Sequence, residues 1–158
     1  MTTHWLPFRL LLIPVSGLAL ATASAPAWAA LAGSVGSIEA DRVHLAAAHR
    51  VDTMTNYVMH TLTLANQSQV REFARPDGVV FAVAWTGPSR PDLRQLLGPK
   101  FATLQAENAV VNHRRTHRGL TVSHSDFVVR SGGHSGAFQG WALAPNFMPA
   151  GFPMSNLR

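Results

Sequence analysis

Three hydrophobic rhythms divide the chain. From Asn56 the pattern alternates. Val58, His60, Leu62 and Leu64 fall on one side, and Tyr57, Met59, Thr61 and Thr63 on the other, which is the two-residue period of a strand. After the polar turn Asn66-Gln67-Ser68, residues 69–74 return as a second strand. Arg75-Pro76-Asp77-Gly78 is the clearest turn in the chain: proline presets φ, aspartate bonds its own backbone and glycine accepts positive φ. Val79 to Trp85 is then continuously apolar, which predicts a strand covered on both faces. Together these segments predict a three-stranded antiparallel meander.

Helical spacing flanks that meander. Ser37 precedes Ile38-Glu39-Ala40-Asp41-Arg42, where a serine oxygen suits an N-cap and Glu39 and Asp41 suit the positive end of the helix dipole. The expected helix spans 38–49, with His49 and Arg50 near its negative end; residues 31–36 read as a flexible or extended lead. After Gly87-Pro88, the residues Leu93, Leu96 and Leu97 recur at helical spacing behind Pro91 and Asp92. Gly98-Pro99 interrupts, and a further helix is expected over about 100–110. Residues 113–119 read as a polar loop, 120–124 and 126–130 as short strands, 131–136 as a glycine-rich turn and 137–143 as a last strand. Residues 144–158 read as an irregular tail packing through Phe147 and Phe152. The expected fold is α+β, an antiparallel sheet (the meander plus C-terminal strands) with helices packed on one face.

The start of the chain carries a different pattern. A short cationic stretch to Arg9, an apolar run from Leu10 to Ala21 and a small-residue stretch ending Ala27-Trp28-Ala29 have the order of a secretory signal peptide. The apolar run, broken by Pro14, Ser16 and Gly17, falls short of the roughly 20 residues that cross a bilayer. Cleavage is expected after Ala29, so residues 1–29 form the leader and 30–158 one mature domain without a membrane span. The expected compartment is the periplasm or the exterior. The chain has no cysteine, which removes disulfides, thiolate metal sites and thiol redox chemistry.

Charge narrows the partners only slightly. Thirteen Lys and Arg against eight Asp and Glu give a formal charge of +5, and one unit of it, Arg9, leaves with the leader. Such a balance favours anionic partners by long-range attraction. The basic residues are scattered except at Arg114-Arg115-Thr116-His117-Arg118, and no basic face interleaved with aromatics marks a specific nucleic-acid binder.

Arg71-Glu72-Phe73 through Pro76-Asp77-Gly78-Val79-Val80-Phe81-Ala82-Val83-Ala84-Trp85, then Pro91-Asp92-Leu93-Arg94-Gln95-Leu96-Leu97-Gly98 and Asp126-Phe127-Val128-Val129-Arg130-Ser131-Gly132-Gly133-His134, carry a family likeness. In these segments the chain resembles the exported bacterial domain-of-unknown-function family 2844. The resemblance implies an exported proteobacterial protein and brings no activity, cofactor or catalytic residue with it.

Candidate chemistry rests on a few polar groups. His113 and His117 are four apart, the spacing that places two imidazoles on one helix face in zinc sites. Arg114 and Arg115 lie between them and would repel a dication; His124 and His134 are possible further ligands from the C-terminal strands. Ser123-His124-Ser125-Asp126 holds the residue types of a hydrolytic triad, but strand alternation would send both serines away from His124. Gly132 and Gly133 in a turn, with Arg130 beside them, would present N–H groups and a guanidinium to an anion, and Arg114, Arg115 and Arg118 add a second basic patch. Of the tryptophans Trp85 and Trp141, the first is expected in the core. These features favour a non-catalytic exported module that binds a cell-envelope protein or anionic polymer, with no cofactor. The alternative is a small hydrolase or metal-dependent enzyme built on His113, His117, His124, His134 and Asp126.

Overall fold

A computed structural model describes Met1, residues 31–112 and residues 119–158. All of the expected leader over 1–29 but Met1, the loop histidines His113 and His117 and the basic residues Arg114, Arg115 and Arg118 lie outside the described residues.

The architecture is α+β, built on one antiparallel sheet of seven strands. The elements in order are helix α1 (Gly36–His44), strands β1 (Ala48–Thr53), β2 (Val58–Thr63), β3 (Gln69–Ala74) and β4 (Val80–Gly87), helices α2 (Leu93–Leu97) and α3 (Lys100–Asn112), and strands β5 (Leu120–Ser123), β6 (Val128–His134) and β7 (Ala137–Leu143). Short 3-10 turns follow at Pro145–Phe147 and Met154–Leu157. Across the sheet the order is β1-β2-β3-β4-β7-β6-β5. The first four strands are a meander; the chain then leaves the sheet through α2 and α3 and returns as β5, β6 and β7, with β7 closing against β4.

The largest departure from expectation lies between residues 34 and 53. The lead is not flexible: Ala32 N–H donates to Val80 O, Val80 N–H donates to Gly33 O, and Leu31 is buried. Ser37 is not the N-cap. It sits inside α1, and its hydroxyl donates to Ser34 O. The helix stops at His44 because Ala46 adopts φ +47° and the Ala47 N–H closes back on Arg42 O, a left-handed C-terminal cap usually built on glycine. Alanine carries no such signal, so the run Ala46-Ala47-Ala48 reads as helix. His49 and Arg50 belong instead to β1, an edge strand paired from Ala48↔Thr63 to Thr53↔Val58. The meander therefore has four strands rather than three.

The C-terminal hairpin is also redrawn. β6 runs through Gly132 and Gly133 to His134, leaving Ser135-Gly136 alone as the turn, with Gly136 at φ +89°. Asp126 and Phe127 fall in the β5–β6 turn, not in a strand. The Arg75–Gly78 turn forms as expected, with Gly78 N–H donating to Arg75 O and Gly78 at φ +85°.

Two clusters line the sheet's faces. The first joins Leu62, Val70, Val83, Trp85, Val122 and Val129 to Ile38, Leu96, Leu97 and Leu104 from the three helices. The second joins Tyr57, Phe73, Phe81, Ala82, Ala84 and Leu143 to Phe152 and Leu157 of the C-terminal segment. Residues 80–85 of β4 are all buried, as a continuous apolar run requires. A bulge opposite Phe73 and Ala74 inserts Phe81 into β4, so the adjacent Phe81 and Ala82 both join the second cluster. The tail expectation is half corrected: Phe147 is exposed, and Leu157 takes the buried place beside Phe152.

Phe152 meets Phe81, Tyr57 and Phe73 edge-on, with ring centroids 4.9, 5.1 and 5.3 Å away, the geometry that aromatic quadrupoles favour. Asn156 Nδ2 donates to Tyr57 Oη at 2.7 Å and fastens the same segment. Phe152→Ala is expected to lower the unfolding free energy by about 3–5 kcal/mol through the cavity it leaves. A urea midpoint unchanged from wild type would show that the segment does not close this face.

Candidate functional site

Successive cross-strand pairings set Arg50, Thr61, Arg71, Ala84, Trp141, Arg130 and Thr121 in one row across the second face. The C-terminal segment covers the β2–β4 part of that row and ends at Arg158, whose main-chain oxygen accepts a hydrogen bond from Arg71 Nη2 at 3.0 Å. Beyond it lies an open cleft of about 330 Å³ lined by Thr86, Thr121, Arg130, Gln139, Trp141 and Arg158 among others. The Arg130 guanidinium sits 5.7 Å from the centre of the Trp141 ring, within the range of a cation–π contact. Arg130 is exposed and Trp141 half-buried, so the site offers a cation over an aromatic floor with hydroxyl and amide groups at its walls.

Two glycines shape this region in different ways. Gly132 lines the cleft and has nothing within 4 Å of where a Cβ would stand. Gly140 is half-exposed in β7 directly opposite Trp85, and a Cβ there would overlap the Trp85 ring and the Arg130 carbonyl oxygen. The buried Trp85 side chain thus occupies the space that Gly140 leaves on the first face.

The glycine half of the anion-binding expectation fails. Gly132 and Gly133 pair with Gln139 and Phe138 in the β6–β7 ladder, and consecutive N–H groups of a strand point in opposite directions, so they do not converge on one anion. Gly133 is required by the hairpin, since a Cβ at its φ of +117° would overlap the Ala137 carbonyl oxygen. Arg130 of that group is exposed and lines the cleft. The patch of Arg114, Arg115 and Arg118 lies outside the described residues.

Of the candidate histidines, the two among the described residues, His124 and His134, do not come together. His124 lies in the β5–β6 turn and His134 at the opposite end of β6, a strand length of about 20 Å; with metal–nitrogen bonds near 2 Å they share no ion. Among the described residues no group of three or more His, Asp or Glu side chains gathers closely enough to hold a metal. The alternation argument for Ser125 also fails, because it sits in a turn with its Oγ 3.3 Å from His124 Nδ1. The connectivity is still unlike a triad: the Ser125 hydroxyl donates to Asp126 Oδ1 at 3.0 Å, and His124 Nδ1 accepts from the Asp126 N–H. The carboxylate thus engages the serine, whereas a triad needs it behind the imidazole.

Two polar groupings escaped the sequence reading. Asp41 of α1 and Glu72 of β3 are both fully buried, and Gln95 Nε2 of α2 donates to Asp41 Oδ1. Burial first, then the Asp41 charge, then a hydrogen bond with Asp41 hold the Glu72 carboxyl well above the usual carboxylate range. The neutral, protonated form of Glu72 is therefore favoured beside Asp41. Glu72 stands between Val70 and Ala74 on an apolar face, a signal visible in the sequence once the strand's inward side is known. The second grouping is His49 and His60 on β1 and β2, with His49 Nε2 3.1 Å from His60 Nδ1. Burial, and then the His49 charge, pull His60 below the ordinary imidazole value.

A carboxyl that keeps its proton in the fold stabilises fully below its unfolded value, near 4.5, and that contribution drains away as pH rises through the folded value. Glu72→Gln mimics the protonated form. Its stability relative to wild type is expected to climb with pH from about 4.5 upward, read from urea midpoints at stepped pH. A difference independent of pH would mean that no proton is held there.

A family described as "Protein of unknown function (DUF2844)" matches residues 27–157. No curated protein matches the chain, and no solved structure does.

Proposed function

Because the chain belongs to the DUF2844 family of unknown function, a description that carries no chemistry, we propose a function from the cleft: an exported, non-catalytic module that binds an anionic envelope ligand, a polymer or an acidic protein surface. The observation that carries the reading is Arg130 poised over Trp141 beside Gln139, Thr121 and Arg158. A guanidinium recognises carboxylate, sulfate or phosphate through a planar fork. The indole beneath it adds a flat surface for a sugar ring or side chain, and the hydroxyls and amide supply orientation. The formal charge of +4 left after Arg9 departs with the leader, 12 basic against 8 acidic residues, attracts such ligands from a distance. Export is part of the same proposal and rests on the charged, apolar and small-residue order of residues 1–29.

Dextran sulfate and polygalacturonate serve as probes of the cleft. Affinity for at least one is expected to fall as salt rises through the physiological range. Arg130→Ala is expected to weaken it by about tenfold or more, the weight of one charged hydrogen-bonding partner. Trp141→Phe keeps the aromatic floor and is expected to lose less. Binding that ignores both salt and Arg130 would reject the cleft as the site.

A further inference from the structure

We propose that His49 and His60 form a binding site for a late first-row divalent metal ion, Cu²⁺, Ni²⁺ or Zn²⁺, at the edge of the sheet. The site rests on the register of the β1–β2 hairpin, independently of the cleft. His49 pairs with Leu62 and His60 with Val51, so the two histidines are diagonal neighbours on one face. Their rings lie 5.3 Å apart at 23°, and His49 Nε2 and His60 Nδ1 face one another at 3.1 Å.

That separation is the bite of two ligands on one ion. With metal–nitrogen bonds near 2.05 Å, nitrogens 3.1 Å apart subtend an angle of about 98° at the metal, between square and tetrahedral values. As a hydrogen-bonded pair the two nitrogens share one proton. When an ion replaces it, the ring protons sit on the outward atoms, His49 Nδ1 and His60 Nε2. His49 is exposed on an edge strand, and a modest turn of its ring aims both lone pairs at one point, with water completing the coordination.

The surroundings suit a dication better than the His113 and His117 spacing does. Glu39 of α1 is held low chiefly by its hydrogen bonds to Arg42, with a smaller pull from the His49 charge. Arg42 grips both Glu39 oxygens, at 2.7 to 2.9 Å, so this cation is already neutralised. Two imidazoles select nitrogen-seeking ions over Mg²⁺ or Ca²⁺, and Cu²⁺ is expected to bind tightest.

The test is Cu²⁺ and Zn²⁺ titration of the untagged protein by calorimetry, with hydrogen exchange as a second readout. One equivalent of Cu²⁺ is expected, with slowed amide exchange in β1 because the ion staples the edge strand to β2. His49→Ala and His60→Ala are each expected to weaken that binding by about tenfold or more, while His134→Ala leaves it unchanged. His49→Ala alters only an exposed edge position, and its far-UV spectrum verifies the fold. Binding equal to wild type in that variant, or protection absent from β1, would overturn the site.

Discussion

The burial of β4 on both faces organises this domain. Every residue from Val80 to Trp85 is withdrawn from solvent, so the sheet needs cover on two sides, and the chain supplies it from two sources. The cluster on one side draws on α1, α2 and α3, and the cluster on the other draws on the C-terminal segment through Phe152 and Leu157. Placing β7 beside β4 completes the strand's hydrogen bonds and makes it the centre of seven. A single apolar strand thus dictates where helices and tail must lie, since unburied it would expose a large hydrophobic surface.

The second cover is shorter than the sheet is wide. It ends at Arg158, near the middle of the row that runs from Arg50 to Thr121, and the cleft begins there. The Arg130–Trp141 pair lies outside that cover, with Arg130 exposed and Trp141 half-buried. Cover and open cleft share one face of the sheet.

The first face solves a different problem. Glu72 points into the helix-side cluster, and a lone ionised carboxylate there would be expensive to desolvate. Burial and the neighbouring Asp41 favour the protonated form of Glu72, which removes its charge, and Gln95 supplies a hydrogen bond to Asp41. The arrangement ties α1 and α2 to β3 by a directional contact that apolar packing alone lacks. At the sheet's edge the same face carries His49 and His60, where burial is partial and imidazole nitrogens stay reachable.

Much of the fold is legible residue by residue. Alternation over 57–64 assigns the correct sides of β2, the Arg75–Gly78 turn is plain, the double burial of 80–85 follows from an unbroken apolar run, and Pro91-Asp92 marks the start of α2, where Asp92 accepts from the N–H groups of Arg94 and Gln95. The losses share one cause, backbone conformations that leave no trace in residue type. Ala46 in a left-handed cap ends α1 without a glycine, which hides β1, and with it the position of His49. Glycines 132 and 133 advertise a turn but sit in a ladder, because Ser135 and Gly136 supply the turn instead. Local chemistry by itself thus determined periods, turns and the apolar centre, since those depend on neighbours in the chain. Only the tertiary structure decided which distant side chains meet, Asp41 with Glu72, His49 with His60, Arg130 with Trp141, because cross-strand register is set by burial of the whole sheet.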